Sequence, residues 1–263
     1  MSPVDLGPAD LALSALLLLL PAVVSVLLRL GLEGRLAVAA ARTVVQLSVL
    51  GLVLQQVFAL DRWYLVLPVL SVMLLAAARA AVQRARHRVR GVQLDALLAL
   101  VVAASTVTFS TTELVLQVEH WYAPRYVIPL LGMVLGNGLT GVALALDRLL
   151  SSLLDARDVV EARLTLGQPV RDAVRPWLAE AVRTGMIPML NTMTIVGLVS
   201  LPGMMTGQIL AGADPLDAVA WQILIMFMIA SATAGATILL CLLVMRRLVD
   251  PLERVRWEEI RPA

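Results

Sequence analysis

Seven uncharged, apolar runs constrain this chain more than any other feature. They lie at Leu11–Leu28, Thr43–Leu60, Trp63–Ala78, Ala96–Thr112, Tyr126–Leu146, Thr184–Ala213 and Ala218–Met245. A helix needs about 20 apolar residues to cross the roughly 30 Å hydrocarbon core of a bilayer. The two shortest runs reach that length if Arg79 and Asp95 snorkel to the interface. The expected fold is an all-α integral membrane protein of about seven transmembrane helices, a single transmembrane domain over residues 1–263. Its spans fall at approximately 11–30, 37–60, 63–82, 95–116, 126–148, 186–210 and 218–245. The sixth run is longer than one span requires and contains Pro188, Pro202 and Gly203. A membrane entry near Pro188 and a break near Pro202–Gly203 are expected there, because proline removes a helix hydrogen bond.

Composition supports a bilayer as solvent. Apolar residues make up 60% of the chain and charged residues 15%, against roughly 25% charge in a soluble domain. The formal net charge of +2 does not form a basic patch. It is parcelled into connections between apolar runs, which argues against nucleic acid. The first run follows Asp5 and Asp10, unlike the basic start of a signal peptide. The single cysteine, Cys241, excludes an intrachain disulfide and a multi-cysteine zinc site.

All 21 basic residues are arginine. Without lysine the chain has no Walker A loop, so any ATP hydrolysis that drives it takes place on another polypeptide. Schiff-base chemistry is excluded for the same reason. Arginine placement also sets the orientation, since cytoplasmic loops are enriched in basic residues. With a span odd-to-even connection on the inside, that side collects the clusters Arg29–Arg35, Arg79–Arg90, Arg148–Arg183 and Arg246–Arg261, leaving Arg62 and Arg125 outside. The expected topology is N-out and C-in.

The largest inside connection, 149–183, mixes both charge signs and repeats apolar residues at helical spacing. Val159, Ala162, Leu164 and Leu166 precede the turn Gly167-Gln168-Pro169, and Val170, Ala173, Val174 and Trp177 follow it. Two short cytosolic helices joined by a bend are expected; a surface loop of no special role is the alternative.

The segment Glu161-Ala162-x4-Gly167 resembles the coupling signature of ABC transporter permeases. Further blocks resemble the FetB/YbbM family of such permeases over nearly the whole chain. They are Arg42-Thr-Val-Val-Gln46, Pro129-Leu-Leu-Gly132-Met133-x2-Gly136-Asn137, Arg183-x2-Met186-Ile-Pro188-x2-Asn191 and Leu201-Pro202-Gly203-Met204-Met205-Thr206-Gly207-Gln208. The resemblance implies a membrane subunit paired with a cytosolic ABC ATPase that carries the ATP and magnesium. It also implies a homodimer of permeases, and a place in the cell (inner or plasma) membrane. Glu161, Ala162, Leu166 and Gly167 are then the ATPase-coupling residues. Bacterial members of the family are associated with iron export, and plant relatives with aluminium tolerance and nucleotide-sugar transport.

Polar residues inside apolar runs mark candidate path positions, because they are costly in hydrocarbon. Arg42 and Gln46 share one face of span two; Arg42 either snorkels to the inside surface or forms a gate. Span four is rich in hydroxyls from Ser105 to Thr112 and ends at Glu113. Gly132, Gly136 and Gly141 surround Asn137, and Gly203 and Gly207 repeat their spacing, a pattern that suits close helix packing. Met186, Met189, Met193, Met204 and Met205 cluster within twenty residues, with Met226 and Met228 following. Thioethers favour soft metals and equally serve as adaptable packing groups. Asn191, Gln208, Asp214 and Gln222 are further oxygen donors; His87 and His120 fall on opposite sides, so no metal ligand set is assigned.

Three function classes compete. An ABC permease subunit exporting a metal ion, iron by the family resemblance, leads. A gradient-driven secondary transporter lacks the inverted repeat such proteins often show, and a non-metal cargo such as a nucleotide sugar is the other alternative. An intramembrane enzyme finds no zincin or Gly-x-Ser-x-Gly motif; the chain is expected to be a non-catalytic subunit.

Overall fold

Apolar runs become helices wherever backbone groups must be satisfied without water. The computed structural model describes residues 7–262. Helix α1 (Pro8–Ala15) continues through a 3₁₀ turn (Leu16–Leu18) into α2 (Leu19–Leu27), and α3 spans Glu33–Leu60. Helix α4 covers Trp63–Gln83, strand β1 His87–Val89, and α5 Val92–Ser110, which ends in a π-helical turn at Thr111–Val115. Then come α6 (Pro124–Asp155), α7 (Arg157–Thr165), α8 (Val170–Ile195), α9 (Gly203–Leu210), α10 (Pro215–Leu248) and strand β2 (Ile260–Pro262).

Among the described residues, six helical segments are long and apolar enough to cross a membrane: Ala9–Leu27, Glu33–Leu60, Trp63–Gln83, Val92–Val115, Pro124–Asp155 and Pro215–Leu248. The other apolar run takes a different form from the one expected. No helix begins at Pro188. Helix α8 starts at Val170 and runs through Pro176 and Pro188 without interruption. Its first fourteen residues carry Arg171, Asp172, Arg175, Glu180 and Arg183, so only its last turns are apolar. The chain leaves the helix at Val196. A tight turn follows, with Gly197 at φ +81° and its N–H donating to the Ser200 carbonyl at 3.0 Å. Pro202 then precedes the short α9. The break lies where proline and glycine announce it, but the helix before it is rooted in the charged segment.

Helices α4, α5, α6, α8 and α10 pack into one core. Its tightest point is where α6 crosses α8. A Cβ on Gly141 would lie 2.9 Å from the Gly185 carbonyl, and one on Gly185 would lie 2.7 Å from the Gly141 carbonyl. The methyl groups of Thr233 and Thr237 on α10 close the same spot. Gly136, Gly203 and Gly207 have no neighbour within 4 Å of a built Cβ, and a Cβ on Gly132 would meet only the flexible end of Met73 at 3.1 Å, so of the expected glycine contacts Gly141 makes the close backbone approach. Helix α3 differs: of its 28 residues Val57 is the buried one. Its start is fastened to α2 by Ser25, whose hydroxyl donates to Glu33 at 2.6 Å and accepts from the Leu32 N–H at 2.9 Å.

The fold is not purely helical. β1 and β2 pair antiparallel, with His87 opposite Pro262 and Val89 opposite Ile260, which returns the tail to the connection between α4 and α5.

Candidate functional site

The arginine-rich connections meet at one end of the bundle and build a cross-braced platform. The Asp95 carboxylate, 5% exposed, accepts two N–H bonds from Arg247 at 2.6 and 2.7 Å. Gly91 makes room for that guanidinium: it sits at φ +81°, and a Cβ there would lie 2.7 Å from Arg247 Nη1. The Arg86 N–H donates to Asp147 at 2.7 Å, His87 meets the Ser151 hydroxyl at 3.3 Å, and Arg148 pairs with Glu180. These contacts join the α4–α5 connection, α6, α8 and α10.

Helix α7 stands on this platform as a separate element. Val160 is its fully buried anchor, with Leu164 partly covered against the core. It ends because Gly167 adopts φ +81°, a left-handed conformation that glycine takes at no steric cost. The N–H groups of Gly167 and Gln168 then cap the carbonyls of Leu164 and Arg163. Arg163 spans the hairpin to α8, with its guanidinium 5.0 Å from the centre of the Trp177 ring and one N–H on the Ala173 carbonyl at 3.2 Å. On the other side, the indole N–H of Trp257 donates to the Glu161 carboxylate, and Arg157 lies 5.8 Å from the centre of that indole ring. The face left open is Val159, Ala162 and Leu166, the last 87% exposed. At spacings of three and four residues these side chains form one apolar stripe.

Of the expected coupling residues, Glu161, Ala162, Leu166 and Gly167 therefore all lie on one short helix and its cap. The expected pair of short helices is corrected in one respect: the second is the beginning of the 26-residue α8. Helix α8 then runs as one continuous rod past the Gly141–Gly185 crossing.

The path candidates do not share one cavity. Met193 and Met205 line a cavity of about 360 Å³ together with Met226 and Gln222. Gln222 is 7% exposed, and its Oε1 has no hydrogen-bond partner. Met204 and Gln208 line a neighbouring cavity of about 380 Å³ with Met133, Arg125, Tyr126 and Trp221; the Gln208 Oε1 is likewise unpartnered. Met189 is buried in the core, and Asn191 and Glu113 are exposed. Asn137 is exposed and returns an N–H to the Met133 carbonyl at 3.0 Å. Arg42 and Gln46 lie on the exposed α3. Asp214 is committed to capping α10, accepting from the N–H groups of Leu216 and Asp217 at 2.8 and 3.4 Å.

Among the described residues no three His, Cys, Asp or Glu side chains converge as a metal cage. Thioethers and carboxamide oxygens are what the two cavities around α9 offer a cation. Such donors bind weakly, which is compatible with release. Trp257, the pairing of Asp95 with Arg247 and the strand pair escape a reading of the sequence. Their partners lie far away in the chain, and only the amphipathic tail around Trp257 gives a local signal.

Residues 8–249 match the model of an uncharacterised protein family, UPF0014. The chain is 44% identical over 211 residues to the UPF0014 membrane protein slr1647 of Synechocystis, covering 80% of this chain and 81% of that one. It is 31% identical over 238 residues, 90% of each chain, to the Probable iron export permease protein FetB of Escherichia coli. It is 34% identical over 232 residues to the Arabidopsis thaliana protein ALUMINUM SENSITIVE 3, covering 88% of this chain and 84% of that protein. No solved structure matches the chain.

Proposed function

We propose a transport role for a chain that belongs to the UPF0014 family of membrane proteins: it is the membrane-spanning subunit of an ATP-driven permease whose ATPase is a separate cytosolic chain. One observation carries this reading. Helix α7 presents an apolar stripe, Val159–Ala162–Leu166, to the outside while its other side is braced by Trp257, Arg163 and Val160. An exposed apolar stripe on a rigid base suits docking of a protein partner. Its continuation into α8 suits transmission of force. The absence of lysine, and with it of a Walker A loop, supports a reading in which nucleotide hydrolysis, with its ATP and magnesium, takes place on that partner.

In this reading the chain is non-catalytic, lies in the cell membrane with its arginine-rich end inside, and works as a pair. The proposed cargo is a metal ion leaving the cell, iron by likeness to the FetB permease. The thioether and carboxamide cavities around α9 offer it transient donors.

Affinity purification of the tagged chain from its native membrane tests the assignment. It should recover an ABC ATPase together with a second, differently tagged copy. A monomer that transports alone would refute it. For the cargo, cells lacking the protein should retain more iron under iron loading; unchanged iron content would count against the metal.

A further inference from the structure

Helix α3 is apolar enough to cross a membrane, yet Arg42, Gln46, Gln55 and Gln56 stand exposed along it. Residues 41–50 are exposed all round, so no other described element covers them. At 1.5 Å per residue the 28 residues of α3 exceed the hydrocarbon thickness, and Gln46 lies at their midpoint. A carboxamide there has no water and no partner within the chain, a costly position in hydrocarbon.

The exposed positions are also patterned. At 100° per residue Arg42, Gln46, Val49, Val53 and Gln56 fall on one side of α3. Gln46, Val49 and Val53 form one wall of a groove of about 480 Å³, whose other wall is α4 at Val69 and Val72.

We propose that this groove is the contact with a second copy of the chain, centred on Gln46. A carboxamide is both donor and acceptor, so it is self-complementary. On a two-fold axis along the membrane normal, Gln46 meets Gln46 of the second copy, and two hydrogen bonds close between them. A single buried amide in an otherwise apolar seam is a device that fixes register and pairing. Arg42, one turn closer to the arginine-rich end, is long enough to reach that interface. The Val49 and Val53 faces supply the apolar contact. This inference rests on the paired permease proposed above, and it adds the surface.

Cysteine cross-linking in native membranes tests it. The one native thiol, Cys241, is fully buried, so the wild-type chain is silent. Gln46→Cys and, as a substitution that keeps the amide, Val49→Cys should each give a band of twice the monomer mass. Each yield should be several-fold above that of Val44→Cys, which lies on the opposite side of α3. Equal yields at all three positions, or none, would overturn the interface. Two tagged copies tested in parallel separate the failures. If they co-purify without stripe cross-linking, pairing stands and this surface is wrong. If they never co-purify, the paired permease falls as well.

Discussion

The indole N–H of Trp257, near the end of the chain, donates to the carboxylate of Glu161, the first residue of the α7 motif. The tail is held for this contact by β2 pairing with β1 and by the Arg256 N–H on the Leu248 carbonyl at 2.8 Å. It makes α7 part of a frame that includes α10 and the α4–α5 connection.

Replacing Trp257 with Phe keeps most of the packing and removes the hydrogen bond, which should cost about 1–2 kcal/mol. Amide hydrogen exchange should accelerate over residues 255–262, and ATP-driven transport should fall several-fold while the protein stays folded. Unchanged exchange in the tail would show that the contact does not hold it.

The Asp95–Arg247 pair is asymmetric, with Asp95 almost fully buried and Arg247 more than a third exposed. Asp95→Ala leaves a solvated arginine and should cost little more than an ordinary hydrogen-bonded pair, about 1–3 kcal/mol. Arg247→Ala strands a buried carboxylate and should cost more, about 3 kcal/mol or above. Thermal unfolding of the two variants in detergent checks the order.

Gly141→Ala and Gly185→Ala should each destabilise by roughly 1–3 kcal/mol, because the new methyl meets backbone at under 3 Å. Gly136→Ala, five residues from Gly141 and with open space around it, should be neutral or slightly stabilising. Thermal unfolding of the three variants distinguishes a packing glycine from an idle one on the same helix.

Gly167→Ala forces a side chain into a left-handed cap and should cost about 1–2 kcal/mol. That strain loosens the end of α7 while leaving its exposed stripe chemically intact. Binding of the ATPase, measured by co-purification, should weaken and not vanish.

The membrane character was legible because it depends on local composition: six of the apolar runs lie in helices long and apolar enough to cross a membrane. The α7 element was legible because Glu161, Ala162 and Gly167 lie within seven residues. What escaped was set at long range. Pro188 was read as a point of membrane entry; that the helix reaching it begins as far back as Val170 was not legible, and α8 stays whole through it, with the Thr192 hydroxyl on the Pro188 carbonyl at 2.9 Å. The strand pair joins residues more than 170 positions apart, and no local periodicity announces it. The methionines looked like one cluster in sequence, yet α9 divides them between two cavities, Met193 and Met205 in one and Met204 in the other.

The most direct test is ATP-dependent metal movement in vesicles holding the chain and its ATPase, comparing wild type with Leu166→Asp. Leu166 is 87% exposed, so the substitution should leave folding unchanged and place a charge in the apolar docking stripe. A docking role for the stripe requires that both ATPase recovery and transport are lost in the variant. Transport that proceeds equally well in the variant, or without any ATPase, would contradict it.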